Sequence, residues 1–102
     1  MGPNGEITVT VAGTPGVPAM NAPSPPRAAV LNVAIVNPSA AGFLTVYPAD
    51  AVRPLAADQN WPPGDIRSNL VVVKLGANGA VKLFNGSPGT LDLVIDVIGW
   101  YS

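Results

Sequence analysis

The chain of 102 residues contains neither cysteine nor histidine. These two absences exclude disulfides, thiol nucleophiles, zinc sites built from Cys and His, Ser-His-Asp triads and histidine pH switches. Much of enzyme chemistry is thereby closed to this protein. We expect no catalytic residue, no metal site and no cofactor, and therefore no enzyme.

The chain also has few charged residues: they make up 11% of it, and its net charge is −1. In an ordinary soluble domain about 25% of the residues are charged. The five basic residues are scattered, so the basic patch of a nucleic-acid-binding protein is missing. No apolar run approaches the ~20 residues that span a bilayer, and no membrane partner is expected. Sparse charge fits two surfaces equally: one covered by neighbouring subunits, or the neutral surface of a secreted protein.

What the sequence has in abundance is apolar residues, at 48%, together with twelve prolines and eleven glycines. Apolar residues alternate in short runs, as in EITVTVA at 6–12, and never recur at helical spacing over three turns. Strands are predicted at 6–12, 28–36, 43–47, 58–61, 69–75, 80–84 and 90–101. Proline-rich connections at 13–27 and 48–68 interrupt them. The pattern predicts one all-β domain over residues 1–102, an antiparallel β-sandwich or small barrel of six to eight short strands with long loops.

Two turn signals predict β-hairpins. The loop NPSAAG at 37–42 separates the strands predicted at 28–36 and 43–47, and we expect those two strands to pair. Asn78-Gly79 lies between the strands predicted at 69–75 and 80–84 and is the strongest hairpin signal in the chain.

Two carboxylates, Asp92 and Asp96, lie in the apolar run TLDLVIDVIGWYS at 90–102. On one strand face they are about 13 Å apart, which is too far for a glycosidase pair, at about 5–9.5 Å, or for one calcium ion. Asp96 is expected to be structural, fixing loops or pairing with an arginine. A calcium or glycan contact is the alternative, and catalysis would need Asp58, Asp65 and Asp96 to meet from different strands.

The remaining polar and aromatic candidates divide into two groups. Structural polar roles are expected for Asn32, Asn69, Asn85 and Asp96, because asparagine commonly closes turns and strand ends. Contacts with a glycan or a protein partner are expected from Trp61, Tyr47, Trp100 and Tyr101. Trp61, in QNWPPGD, would either stack on a sugar ring or cap the open end of the sandwich.

The segments AAVLNVAIVNPSAAGFLTVYPADAVRP and SNLVVVKLGANGAVKLFNGSPGTLDLVIDVIGWYS resemble a β-rich repeat of secreted and cell-surface proteins of actinobacteria. With the leading ITVTVAGTPGVP, the resemblance covers nearly the whole chain. It implies a non-catalytic β-module, often repeated or attached to wall-acting enzymes, without catalytic residues to carry over. Asn32, Asn69, Asn85 and Asp96 match recurrent positions of the repeat, which implies scaffold roles for them.

The chain departs from that repeat in two respects: the Arg-x-x-Asp-Thr-Arg-like opening strand is missing, and MGPNGEITVTV has no basic region typical of a secretion signal. These departures favour a structural module on an outer surface, most concretely a decoration protein on the virion surface, on the capsid or tail of a phage of actinobacteria. Its partners would be other protein subunits, in a homo-oligomer or a surface lattice. The alternative is an extracellular module that binds cell-wall carbohydrate.

Overall fold

The computed structural model describes residues 1–55, 57–64 and 66–102, and these form an all-β protein, as predicted. The described residues contain seven strands and no helix. The strands are β1 (Glu6–Thr10), β2 (Ala28–Val36), β3 (Gly42–Pro48), β4 (Gln59–Trp61), β5 (Arg67–Lys74), β6 (Ala80–Gly86) and β7 (Asp92–Tyr101). Each lies within two residues of a predicted strand at its start, since alternation marks a strand well and its ends less well.

The strands form two antiparallel sheets that pack as a β-sandwich. One sheet has four strands in the order β1-β6-β3-β4, and the other has three in the order β5-β2-β7. Between them lies the core, to which β2 contributes Ala29, Leu31, Val33 and Ile35, all fully buried. From the opposite sheet come Leu44, Val46, Val81 and Leu83. Burying each such leucine, valine or isoleucine side chain contributes about 1.5–3 kcal/mol, so this layer supplies most of the stabilisation.

Both predicted hairpins are wrong. β2 pairs with β5 and β7, whereas β3 pairs with β4 and β6, so the loop at 37–42 crosses from one sheet to the other. Asn78-Gly79 does form a tight turn, in which Gly79 donates to the Gly76 carbonyl at 2.8 Å, but β5 and β6 leave it into different sheets. A strand with an apolar face is stabilised when that face packs against the opposite sheet of the sandwich. This burial places β5 and β6 in different sheets, and it outweighs the preference of the turn for a hairpin.

The first five residues are held against the start of β7 and the end of β6. The Met1 ammonium donates to the Leu91 carbonyl at 2.8 Å, and the Leu91 amide donates back to Met1 at 3.1 Å. Asn85, fully buried, donates to the Gly2 carbonyl at 2.8 Å and to the Gly89 carbonyl at 3.0 Å. This polar contact closes one end of the sandwich.

Candidate functional site

The outer faces of the two sheets differ, because only one of them is covered by the rest of the chain. The connection that leaves β3 folds back over the four-stranded sheet and places the Arg53 guanidinium 3.6 Å from the centre of the Phe84 ring. Beneath it, Thr45 and Tyr47 are buried although their side chains point away from the core. The middle of the four-stranded sheet is therefore packed on both faces, whereas Glu6, Thr8 and Thr10 of the edge strand β1 remain exposed.

None of the described residues forms such a cover over the three-stranded sheet. Along β2, burial alternates strictly, so Val30, Asn32 and Ala34 point outward. Directly opposite residues of paired strands share a face. Val72 and Leu70 of β5 lie opposite Val30 and Asn32, and Val94 of β7 lies opposite Ala34. We call this surface the outer face; it comprises Ala28, Val30, Asn32, Ala34, Val36, Ser68, Leu70, Val72, Lys74, Asp92, Val94, Asp96 and Tyr101.

The outer face is mostly apolar and exposed to solvent. Relative exposure is 62% for Leu70, 65% for Val72 and 51% for Val94. Three strands spaced by about 4.8 Å and nine residues rising about 3.3 Å each give a projected area of roughly 400 Å². The largest apolar patch of a monomer is about 300–600 Å² and is often functional, so the outer face is a candidate docking surface.

Asp92 and Asp96 both lie on the outer face of β7 and are exposed. Asp96 lies opposite Asn32 on β2, so two of the predicted structural polar residues are brought side by side. Among the described residues no ion pair is found for Asp96, and its expected pairing with an arginine is not observed. The Asp58 carboxylate instead accepts a hydrogen bond from the Val46 amide at 2.7 Å, and Asp65 lies outside the described residues.

The aromatic candidates are placed differently from one another. Trp61 is only 4% exposed, and its indole nitrogen donates to the Ala40 carbonyl at 2.9 Å. It belongs to the core and presents no free ring face to a sugar, which corrects its assignment as a glycan contact. Tyr47 is corrected in the same way, because it is 4% exposed beneath the connection that follows β3.

Trp100 and Tyr101, in contrast, remain exposed, at 41% and 59%. They lie opposite Ala29 and Ala28, which face the core and the solvent respectively. Since neighbours in a strand point to opposite faces, the two rings do not form one stacking platform.

The Tyr47 hydroxyl donates a hydrogen bond to the Glu6 carboxylate. Burial, with that bond and the charge of Glu6, raises the pKa of Tyr47 to about 12. The folded protein thus holds the phenol proton more tightly than the unfolded chain, whose tyrosine has a pKa of about 10. This contribution to stability is complete below pH 10 and decreases as the pH rises towards 12.

We predict that the free energy of unfolding of the wild type decreases more steeply between pH 9 and pH 11.5 than that of Tyr47→Phe. Phenylalanine keeps the ring and removes the proton, so the difference isolates the phenol. Urea unfolding at each pH measures it, and absorbance at 295 nm assigns the late-titrating tyrosine. Parallel pH profiles for the two proteins would contradict the prediction.

Side chains of β4 and β5 join the two sheets along one side of the sandwich. Gln59 donates to the Arg67 carbonyl at 3.1 Å, and Asn69 donates to the Asp58 carbonyl at 3.3 Å. Beside these bonds lies an open polar cleft of about 330 Å³, lined by Asp58, Gln59, Asn60, Arg67, Ser68 and Asn69. Asn69 therefore has a structural role, because its hydrogen bond to the Asp58 carbonyl helps to hold the two sheets together on this side.

Reasoning from the sequence missed Leu70, Val72 and Val94 as functional candidates. The signal was present, because NLVVVKL and DLVIDVI are apolar at consecutive positions and so predict strands apolar on both faces. A strand of this kind either is packed on both faces or exposes one apolar face to solvent. The strand order within the sheets and the path of the loops decide which of the two occurs.

Among the described residues, no three or more acidic side chains come together in a way that could hold a metal ion. The same part of the chain contains no helix long and apolar enough to cross a membrane.

Comparison of the chain with protein-family models, with curated proteins and with solved structures found no match. The resemblance to the actinobacterial repeat rests on the motifs of the sequence alone.

Proposed function

We propose that this protein is a non-catalytic interaction module that binds other protein subunits through the outer face. Its most concrete form is a decoration protein of a phage capsid or tail, located on the virion surface. The observation that carries the proposal is the contrast between the two sheets: the middle of the four-stranded sheet is covered by the protein's own chain, whereas the outer face of the three-stranded sheet is apolar and exposed, and is left for a partner.

The size of the outer face predicts a weak single contact that gains strength by repetition. Contact through the outer face buries roughly 400 Å² on each partner, or about 800 Å² in total, which is less than the ~1,200–2,000 Å² of a stable specific interface. Association costs about 4–15 kcal/mol in lost freedom of motion, so little net affinity remains for one isolated contact. A repeating lattice offsets that cost, because linked copies bind with a high effective concentration. Surface decoration therefore fits the outer face better than a tight complex with one soluble partner.

The low charge of the chain supports the same proposal. Few charged side chains would have to be stripped of water when the outer face meets another protein, and desolvation of charge is a large cost of association. On the outer face the charged residues are Lys74, Asp92 and Asp96, and all three lie on the outer strands of the sheet. The central strand, β2, contributes only one polar outward side chain, Asn32.

Binding of cell-wall carbohydrate is the second candidate, and it is favoured by the exposure of Trp100 and Tyr101 together with the polar cleft beside Asn69. These features are dispersed over different faces, whereas a sugar site needs a ring face and hydrogen-bonding groups that converge on one ligand. The candidate therefore enters the test as a competing outcome.

The outer face can be tested by co-sedimentation of the purified protein with capsids and tails of phages that infect actinobacteria, and with actinobacterial cell walls. We predict saturable binding to virion particles, weakened about tenfold by Val72→Thr, because burying an unpaired hydroxyl costs about 1–3 kcal/mol. Threonine is favourable in strands, so the fold should persist. The matched control is Val52→Thr, which changes an exposed valine outside the outer face and should leave binding unchanged.

Saturable binding to cell walls by both variants and the wild type alike would overturn the proposal and support carbohydrate recognition. Equal losses from Val72→Thr and Val52→Thr would also overturn it, since binding would then not depend on the outer face. Absence of binding to both kinds of particle would leave no role for virion decoration.

A further inference from the structure

The four edge strands of the sandwich are unequally protected against pairing with another strand. β4 has three residues and is followed by Pro62 and Pro63. β1 has five residues. β5 carries Lys74 and is fastened by the hydrogen bond from Gln59 to the Arg67 carbonyl. Short length, proline and lysine are the usual devices that block strand addition.

β7 has none of these three devices; its two charged residues, Asp92 and Asp96, lie on the outer face, and a β-bulge lies only near its end. It has ten residues, DLVIDVIGWY, without proline or lysine, and it pairs with β2 on one side only. A long edge strand with free backbone groups and apolar side chains is a template for another strand. β7 is therefore the edge at which strand addition is to be expected.

The sandwich is also open along this side. Val97 and Trp100 lie opposite the core residues Leu31 and Ala29, yet they are 40% and 41% exposed. Ile7 of β1, opposite the buried Leu83, is 37% exposed. The two sheets approach most closely on the other side, where β3 passes β5. An added strand beside β7 would cover inward-facing apolar groups that the chain itself leaves half exposed.

The free part of the β7 edge has defined limits. At one end the Met1–Leu91 hydrogen bonds occupy the position just before Asp92. At the other end a β-bulge leaves Ile98 without a partner on β2, because Val30 pairs with Gly99 and Leu31 with Val97. A bulge bends and twists its strand. The stretch available for regular pairing thus runs from Asp92 to Ile98, and its midpoint is Ile95.

We propose that two copies of this protein dimerise by antiparallel pairing of β7 with β7, with the two-fold axis at Ile95. Opposite residues in such a pair share a face, so one residue must lie opposite its own copy, and the two-fold axis lies midway between these two copies. An axis at Asp96 would set two carboxylates opposite each other, which is unfavourable. An axis at Ile95 places Asp96 opposite Val94 and Leu93 opposite Val97 of the second copy. The paired stretch is about 23 Å long.

A second copy fits this edge because β7 is complementary to itself. With the axis at Ile95, Gly99 of one copy would lie opposite Leu91 of the other, where Met1 is already hydrogen-bonded, so the regular pairing ends at the bulge. The sheets then join into one six-stranded sheet, and the two outer faces form a continuous surface of roughly 800 Å², the area that one partner contributes to a standard interface. The dimer forms through the edge of β7 and does not depend on what the outer face binds.

Disulfide trapping tests the register, and the chain has no cysteine to interfere. Single variants Val94→Cys, Ile95→Cys, Asp96→Cys and Val97→Cys are oxidised at a protein concentration of about 100 μM. Residues on the axis have Cα atoms about 4.5–5.5 Å apart, within disulfide range, and their sequence neighbours lie beyond 7 Å. We expect I95C to cross-link at least tenfold faster than the other three. Equal rates along β7 would overturn the register.

Light scattering tests the dimer itself and separates the edge from the outer face. The wild type should change from the chain mass of 10.3 kDa to twice that mass as concentration rises. Val97→Lys should remain monomeric, because a lysine on the inward side blocks strand addition, and its circular dichroism verifies the fold. Val72→Lys, on the outer face of the far edge strand, should still dimerise. A monomeric wild type, or a dimer that V72K breaks and V97K does not, would overturn the proposal.

Discussion

Replacement of Asn85 by alanine is expected to lower the free energy of unfolding by about 3 kcal/mol. Asn85 is fully buried, and its amide group donates to the Gly2 and Gly89 carbonyls while its oxygen accepts from the Ser87 hydroxyl at 2.7 Å. Alanine would remove all three bonds, leave the Gly2 carbonyl without this partner and open a cavity. Domains of this size have a total stability of about 5–15 kcal/mol, so the loss is a large share.

Urea unfolding followed by the fluorescence of the buried Trp61 measures the loss. The matched control is Asn21→Ala, at an exposed position in the proline-rich connection before β2, and it should change stability by less than about 0.5 kcal/mol. A second variant, Asn85→Asp, keeps the volume but sets a carboxylate against the Gly2 and Gly89 carbonyls. If the hydrogen bonds matter, N85D costs at least as much as N85A at neutral pH; a tolerated N85D would show that side-chain volume alone decides.

The importance of Asn85 could be anticipated from the sequence only in part. The sequence NGSPG at 85–89 predicts a turn, and asparagine is a common residue at such a place. What the sequence does not contain is the partner, because Gly2 is 83 positions away and nothing in MGPNGE marks it as an acceptor. The turn at 85–89 could therefore be predicted from the local sequence, whereas the long-range hydrogen bond from Asn85 to Gly2 could not.

The strands themselves were readable because a strand half buried in a sandwich has to alternate. EITVTVA shows that alternation, and AAVLNVAIV is a short apolar run that predicts a strand apolar on both faces; β1 and β2 lie at these two places. The pairing of strands was not readable, since alternation tells which face is apolar and not which neighbour lies beside it. The errors at 37–42 and at Asn78-Gly79 both come from this gap.

The candidate site divides in the same way. For Trp61, in QNWPPGD, the sequence left two alternatives open, stacking on a sugar or capping the open end of the sandwich. In the structure Gln59 and Trp61 alternate with the exposed Asn60, and both point inward. The bare outer face was not predicted, because it depends on the path of a distant loop: Arg53 covers part of the other sheet, and no comparable segment among the described residues covers β2. Which surfaces of this protein are exposed depends on the sheet order and on the path of its loops, and neither can be derived from composition.

Replacement of Gly79 by alanine is the other change with a large expected effect, a loss of about 3 kcal/mol. Gly79 has a φ of +75°, which costs an L-residue about 1–2 kcal/mol. A methyl group there would also overlap the Cβ of Ala12 and lie 3.0 Å from Met20 Cγ. This approach is close because the Gly79 carbonyl accepts from the amides of Val11 and Ala12, at 2.9 and 3.1 Å.

Two further variants separate the backbone strain from the crowding. Gly16→Ala has a similar φ of +85° with nothing near the added methyl, so it should show the strain alone, about 1–2 kcal/mol. Ala12→Gly, combined with Gly79→Ala, removes the atom that the new methyl meets and should recover most of the remaining loss in a double-mutant cycle of urea unfolding. If G79A costs no more than G16A, or A12G recovers nothing, the turn at Asn78-Gly79 needs glycine for its backbone conformation alone. A larger loss with recovery would mean that glycine also lets β1 reach the turn between the two sheets, and would explain why this turn joins sheets rather than forming a hairpin.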